Sequence, residues 1–181
     1  MTFKKTAESL PKGAHTLERN YYVDPDILQR EYDNIFLNNW ICAGRSSELC
    51  ESGYYKVINI GIESIILLRD EHGELKAHVN VCRHRGTRIC NHRSGQFSKS
   101  IQCSYHGWTY GLDGKLTGAP HMDAVEGFHK SDYSLYPVAI SEWDGFIFIN
   151  YSHTPEDFDS AFAPLIERFK DWTIDLSLIH I

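Results

Sequence analysis

Two short segments of the chain each pair one cysteine with one histidine, and this pairing constrains the fold more than any other feature. One residue separates Cys82 from His84, two separate Cys103 from His106, and eighteen lie between His84 and Cys103. Thiolates and neutral imidazoles are common protein ligands of zinc and iron. The sequence therefore predicts a fold that brings two loops together around a metal centre with these four residues as ligands.

Two kinds of metal centre use two cysteines and two histidines. In zinc fingers the two cysteines usually come from one segment and the two histidines from another. In a Rieske [2Fe-2S] cluster two thiolates hold one iron and two imidazoles hold the other. Each loop then supplies one ligand of each kind, and Gly86 and Gly107, which follow the histidines, let backbone amides approach the cluster. The mixed loops favour the [2Fe-2S] cluster, with zinc as the alternative.

Four segments carry a resemblance to a known family. They are residues 80–87 (NVCRHRGT), 103–110 (CSYHGWTY), 111–114 (GLDG) and 143–150 (WDGFIFIN). They resemble the N-terminal Rieske [2Fe-2S] domain in the α subunit of Rieske non-haem iron oxygenases, the aromatic ring-hydroxylating oxygenases. The resemblance covers about residues 17–175. Two features depart from it: Ser104 stands where the family usually has proline, and the segment between the loops is about one residue longer.

The resemblance implies an electron-transfer function. In this family the cluster passes electrons from a flavin reductase or a ferredoxin to a mononuclear non-haem Fe(II), which activates O2 for substrate hydroxylation or demethylation. Two histidines and one carboxylate hold that iron in a C-terminal catalytic domain, and the full-length α subunits form homotrimers. The histidines outside the two loops do not show the spacing of that site. The second iron is therefore expected only in a C-terminal domain beyond these residues.

Composition limits the classes of partner. The 181 residues include 18 Lys and Arg against 24 Asp and Glu, and the net charge of −6 argues against nucleic acid as a partner. No apolar run approaches membrane-spanning length and the N-terminus lacks an apolar signal segment, so the predicted location is the cytoplasm. Three cysteines lie outside the loops, Cys42, Cys50 and Cys90, and an odd number favours reduced thiols.

The two loops are locally basic in this acidic protein. Arg83, Arg85, Arg88 and Arg93 lie in or just after the first loop. They would offset the charge that the cluster gains on reduction, and they would fit an acidic electron donor. Solvated loop arginines are the alternative interpretation.

Residue patterns predict a mainly β fold flanked by helices. A helix is expected from the N-cap Asp24 to about Asn38, and another after residue 150, with Pro164 as an irregularity. Strands are expected at residues 40–43, 54–59, 64–69, 75–81, 108–110, 136–140 and 146–150. The predicted fold class is an antiparallel β sandwich or small barrel of the Rieske type.

These elements divide the chain into three predicted parts. They are an N-terminal arm and helix (1–39), the Rieske [2Fe-2S] domain (40–151), and a helix with the start of a truncated catalytic domain (152–181). The alternation of Ile174, Leu176 and Leu178 predicts a strand over residues 172–181.

The predicted function is the electron-transfer domain of an oxygenase α subunit, an oxidoreductase component that lacks the mononuclear iron site within its own residues. The first alternative is a stand-alone Rieske ferredoxin, which carries electrons and has no substrate. A zinc-stabilised interaction domain is the second. The sequence does not distinguish monooxygenase, dioxygenase and demethylase substrates.

Overall fold

The structure is a computed structural model that describes residues 13–172 and residue 174. Ten strands in this part of the chain form three antiparallel sheets. They are β1 (Ile41–Arg45), β2 (Tyr54–Ile60), β3 (Glu63–Arg69), β4 (Leu75–Val79), β5 (Ser94–Gln96), β6 (Ser100–Gln102), β7 (Thr109–Gly111), β8 (Leu116–Gly118), β9 (Ala139–Trp143) and β10 (Phe146–Asn150). Helices α1 (Asn20–Val23) and α2 (Pro25–Glu31) precede the strands, and α3 (Phe158–Phe169) follows them. The predicted fold class is confirmed.

The three sheets enclose two hydrophobic cores that share strand β3. The strand orders are β1-β10-β9, β4-β3-β2-β5 and β6-β7-β8. Ile65 and Leu67 of β3 face the core between the first two sheets, whereas Ile66 and Leu68 face the core beneath the third sheet and the Cys-His loops. Because β3 is buried on both faces, its sequence is a continuous apolar run rather than an alternating one.

Helix α2 begins where the sequence predicts, directly after Asp24. Asp24 accepts a hydrogen bond from Asp26 N at 2.9 Å, and α2 continues as a π-helical turn over Tyr32–Phe36. The apolar side chains of this helix are only partly covered, since Leu28 is 47% and Ile35 is 49% exposed. Among the described residues, no helix has the length and apolar character needed to cross a membrane.

The helix expected after residue 150 is present as α3, which runs through Pro164 without interruption. Phe158 and Phe162 pack against Phe148 of β10, with ring centroids 5.3 and 4.8 Å apart. Helix α3 therefore covers the face of the first sheet that points away from the core. The strand predicted over 172–181 lies outside the described residues, apart from 172 and 174.

The predicted strands are present, with small shifts at their ends. The bounds predicted for one strand, 146–150, agree with those of β10 in the structure. The strand expected at 136–140 begins three residues later, at Ala139. The sequence did not predict the three-residue strands β5, β6 and β8, which are too short to show a period. Strand β7 is equally short, but the adjacent aromatic residues Trp108 and Tyr110 indicated it. The three-part domain division stays a prediction.

Candidate metal centre

The two Cys-His loops have the same backbone hydrogen bonds. In the first loop, residues 82–87, Cys82 N donates to Thr87 O at 2.8 Å. In the second loop, residues 103–108, Cys103 N donates to Trp108 O at the same distance. Each loop is therefore closed by one bond that spans five residues.

A glycine completes each loop. Gly86 N donates to Cys82 O and Gly107 N donates to Cys103 O, both at 3.0 Å. Their φ angles of 72° and 70° lie in the left-handed region that favours glycine. The loops thus share one backbone geometry, although the histidine is two residues from the cysteine in one loop and three in the other.

Paired strands fix the base of each loop. The first loop follows β4, and an antiparallel bridge between Val81 and Arg88 joins its two ends. The second loop connects β6 to β7, where Gln102 pairs with Thr109. The sheets thereby bring two segments that are distant in sequence to one end of the fold.

A buried asparagine holds the first loop from inside the core. Asn80 Nδ2 donates to Cys90 O at 2.8 Å and to Ser64 Oγ at 3.2 Å, and its Oδ1 accepts from Ile89 N and Cys90 N. All of its polar atoms are satisfied, as a fully buried amide requires. Burial raises the pKa of the neighbouring Cys90 thiol to about 12, which keeps it protonated and suits a packing role.

The four candidate ligands form a thiol pair and an imidazole pair. Cys82 and Cys103 are each 2% exposed. Burial raises the pKa of the Cys82 thiol, and the adjacent Cys103 raises it further. The rings of His84 and His106 lie edge to face with centroids 4.7 Å apart. Burial lowers the pKa of His84, and the charges of His106 and Arg85 lower it further. These effects favour the neutral form of His84, which is the form that binds a metal.

This arrangement fits a binuclear cluster. His84 Nδ1 is buried without a hydrogen-bond partner, which is costly unless another ligand satisfies it. A thiol pair beside an imidazole pair is the donor set of a [2Fe-2S] cluster with unlike irons, and coordination would satisfy His84 Nδ1.

Three aromatic residues that the sequence analysis did not select contact the candidate ligands, and one of them, Tyr105, lies against His106 with ring centroids 3.8 Å apart. The Trp108 ring stacks on His84 with centroids 4.8 Å apart and planes 12° apart. The Tyr110 hydroxyl lies 3.2 Å from Cys82 Sγ and accepts a hydrogen bond from Arg83 N. Burial raises the pKa of Tyr110, so its hydroxyl stays protonated and can donate to a thiolate. A tyrosine on a buried strand next to a ligand loop was the available signal.

The loop arginines separate into two groups. The Arg83 guanidinium donates to Ser134 O at 2.8 Å and lies 4.0 Å above the ring centroid of Tyr136. It therefore ties the first loop to the segment before β9. Arg85, Arg88 and Arg93 are exposed.

The chain is similar in sequence to a known domain family and to two oxygenase subunits. The profile of the Rieske [2Fe-2S] domain matches residues 39–129. The chain is 35% identical over 164 residues to the glycine betaine monooxygenase oxygenase subunit of Chromohalobacter salexigens, which covers 91% of the chain and 36% of that protein. It is 37% identical over 158 residues to the carnitine monooxygenase oxygenase subunit of Acinetobacter baumannii, which covers 87% of the chain and 42% of that protein.

Two solved oxygenase structures also superimpose on this chain. A quaternary ammonium Rieske monooxygenase, CntA, in complex with L-carnitine superimposes with a TM-score of 0.79 and 32% identity, over 86% of this chain and 45% of that one. Naphthalene 1,2-dioxygenase from Rhodococcus sp. superimposes with a TM-score of 0.73 and 34% identity, over 78% and 33% of the two chains. The chain thus spans about two fifths of the length of the curated relatives it matches.

Proposed function

Because the chain belongs to the Rieske [2Fe-2S] domain family, we propose that it is the electron-transfer domain of an oxygenase subunit. Cys82 and Cys103 hold one iron of the cluster, and His84 and His106 hold the other. When bound, such a cluster takes up and returns one electron. The observation that carries this assignment is the buried thiol pair beside the imidazole pair, on two loops of equal backbone geometry.

The surrounding residues position the ligands. Trp108 fixes the plane of the His84 ring by stacking on it, and Tyr110 offers a hydrogen bond to Cys82 Sγ. His106 is exposed, so the imidazole side of the centre is open to solvent at this residue. The thiol pair lies in the core and is screened from water.

The electron acceptor in this proposal is a mononuclear non-haem Fe(II) in a catalytic domain, to which residues 152–181 lead from the Rieske domain at 40–151. The donor is a flavin reductase or a ferredoxin, and the full-length protein is a homotrimer. Similarity over 164 residues extends beyond the Rieske profile on both sides. That extent favours an oxygenase subunit over a stand-alone ferredoxin.

The substrate class that we propose is a quaternary ammonium compound, which the whole protein would oxidise as a monooxygenase. Support comes from the relatives named for glycine betaine and carnitine, at 35% and 37% identity, compared with 30% for the biphenyl 2,3-dioxygenase α subunit of Rhodococcus jostii. We place the protein in the cytoplasm, where thiols such as Cys42 and Cys50 stay reduced.

The cofactor assignment is tested by purifying the chain without oxygen. We expect about two iron atoms and two acid-labile sulfides per chain, and after reduction an EPR signal with the low average g value of mixed Cys and His ligation. Cys82→Ala should abolish both, whereas Cys42→Ala, which removes an exposed thiol outside the loops, should change neither. One zinc ion without sulfide would contradict the assignment.

A further inference from the structure

Charge is distributed very unevenly along the chain. Residues 75–112, which include both loops, contain no Asp or Glu, so all 24 acidic residues lie elsewhere. The same segment contains six Lys and Arg residues: Lys76, Arg83, Arg85, Arg88, Arg93 and Lys99. The part of the protein that carries the candidate ligands is therefore basic, although the whole chain is acidic.

Not all of these cations are available to a partner. The Arg83 side chain is occupied by Ser134 O and the Tyr136 ring. By contrast, the side chains of Arg88, His92 and Arg93 are exposed and have no hydrogen-bond or ion-pair partner within residues 13–172 and 174. Unpaired, exposed cations can meet an opposite charge on a partner at little desolvation cost.

These three side chains line one open cleft of about 630 Å³, with Lys56 and Glu48 on its other wall. We call this the basic cleft. Lys56 Nζ lies 2.6 Å from Glu48 Oε2, so the single carboxylate there is already paired. Val57 N donates to Arg93 O at 2.7 Å, which ties the backbone of Arg93 to strand β2. The net charge of the cleft is carried by Arg88 and Arg93.

The basic cleft adjoins the first loop. Arg88 pairs across the loop base with Val81, the residue before Cys82. Cys90, which also lines the cleft, is hydrogen-bonded through its backbone to Asn80. A protein bound at the cleft would therefore lie beside the base of the first loop, next to Cys82.

We propose that the basic cleft, formed by Lys56, Arg88, His92 and Arg93, is the docking surface for an acidic one-electron carrier protein. The inference rests on the proposed function and names the surface at which its donor binds. One electron leaves the reduced carrier and one is gained by the bound cluster, with no bond made or broken. Arg88 and Arg93 are exposed at an open cleft, which suits the rim of a protein interface better than an enclosed small-anion site.

The test measures binding rather than turnover. An oxidised acidic [2Fe-2S] ferredoxin is titrated into the cluster-loaded chain in a calorimeter, at low and at high ionic strength. The double variant Arg88→Gln/Arg93→Gln should bind about tenfold more weakly at low ionic strength and equally at high ionic strength. The matched control, Arg19→Gln/Arg30→Gln, removes the same charge from exposed positions on the N-terminal helices and should bind as the unsubstituted chain does.

Three results would overturn the proposal. They are unchanged binding by the cleft variant, equal weakening by both double variants, and displacement of the ferredoxin by inorganic phosphate at constant ionic strength. The last result would assign the cleft to a small anion. Both variants should keep the EPR signal of the cluster. If the unsubstituted chain itself lacked that signal, the proposed function would fail, whereas the docking proposal fails only on the binding results.

Discussion

Two buried polar side chains, Tyr110 and Asn80, hold the first loop in place. Tyr110 bonds Cys82 Sγ and Arg83 N through its hydroxyl, and Asn80 uses its amide to bond the backbone after the loop. A buried polar group is costly unless its partners are in place. These residues therefore specify one position for the loop, which apolar residues of the same size would not do.

Tyr110→Phe should lower the midpoint potential of the cluster by about 40 mV. The hydroxyl donates to a thiolate that becomes more negative on reduction, so the hydrogen bond favours the reduced state by about 1 kcal/mol, which is about 40 mV for one electron. A spectroelectrochemical titration measures the shift. Tyr22→Phe is the control, since Tyr22 is 67% exposed and lies on helix α1, away from both loops. Equal shifts in the two variants would show that the Cys82 contact is not the cause.

The β7–β8 hairpin and strand β4 are joined through a buried histidine. His78 of β4 is 4% exposed, and its Nε2 lies 3.3 Å from Leu112 O in the hairpin turn. A Cβ atom on Gly114 would lie 2.5 Å from the His78 ring, so the turn packs directly on it. The strand before the first loop is thereby fixed against the hairpin after the second loop.

Protonation of His78 should destabilise the fold at acidic pH, because it places a charge in the core and a proton on Nδ1, which is buried without a hydrogen-bond partner. Burial lowers the pKa of His78 below its ordinary value of 6.5. The hydrogen bond to Leu112 and the charge of Asp113 raise this pKa by less, and Lys76 lowers it further. The unfolded chain then binds this proton more readily than the folded chain. The contribution of His78 to the free energy of unfolding is therefore complete above pH 6.5. It is lost as the pH drops from there through the folded-state pKa.

The measurement is the melting temperature of the cluster-loaded chain above and below pH 6.5. His78→Gln removes the titration but keeps a group that can bond Leu112 O, so this variant should lose less melting temperature on acidification than the unsubstituted chain. His72→Gln is the control, because the His72 side chain is 76% exposed. If His78→Gln and the unsubstituted chain lost the same amount, other groups would account for the acid sensitivity.

At the scale of the whole molecule, the described residues contain one candidate redox centre, formed by the two Cys-His loops, and the basic cleft that we propose binds its electron donor. The chain spans about two fifths of the relatives that are named as oxygenase subunits. A [2Fe-2S] cluster whose irons are fully ligated by protein and sulfide offers no open position for O2. Oxygenation therefore needs a second iron site in addition to this one.

The cluster-loaded chain should accept electrons from a reductase without oxidising carnitine or glycine betaine. Joined to the remaining part of the Acinetobacter baumannii carnitine monooxygenase subunit in place of its matching segment, it should support carnitine-dependent O2 uptake. The same chimera with His106→Ala should not, because its cluster would lack one ligand. Oxygen uptake and product formation are the measurements. Stoichiometric product from the chain alone would show that it contains a second iron site.

The sequence by itself determined the features that depend on neighbouring residues. The spacing of cysteine and histidine indicated the ligand loops, Asp24 marked the start of a helix, and residues 146–150 were identified as a strand with the observed bounds. Local propensities, capping groups and loop spacing operate over a few residues, so they can be read from the chain directly.

Only the tertiary structure decided the contacts between distant residues. Tyr110 reaches Cys82 across 28 positions, and His78 reaches Leu112 across 34. Sheet packing also placed Arg88 and Arg93 in a cleft with Lys56, while Arg83 turned to Ser134. The four arginines in and after the first loop therefore lie in different surroundings. Which groups meet depends on strand order and register, and these follow from how whole sheets bury their faces rather than from any local pattern.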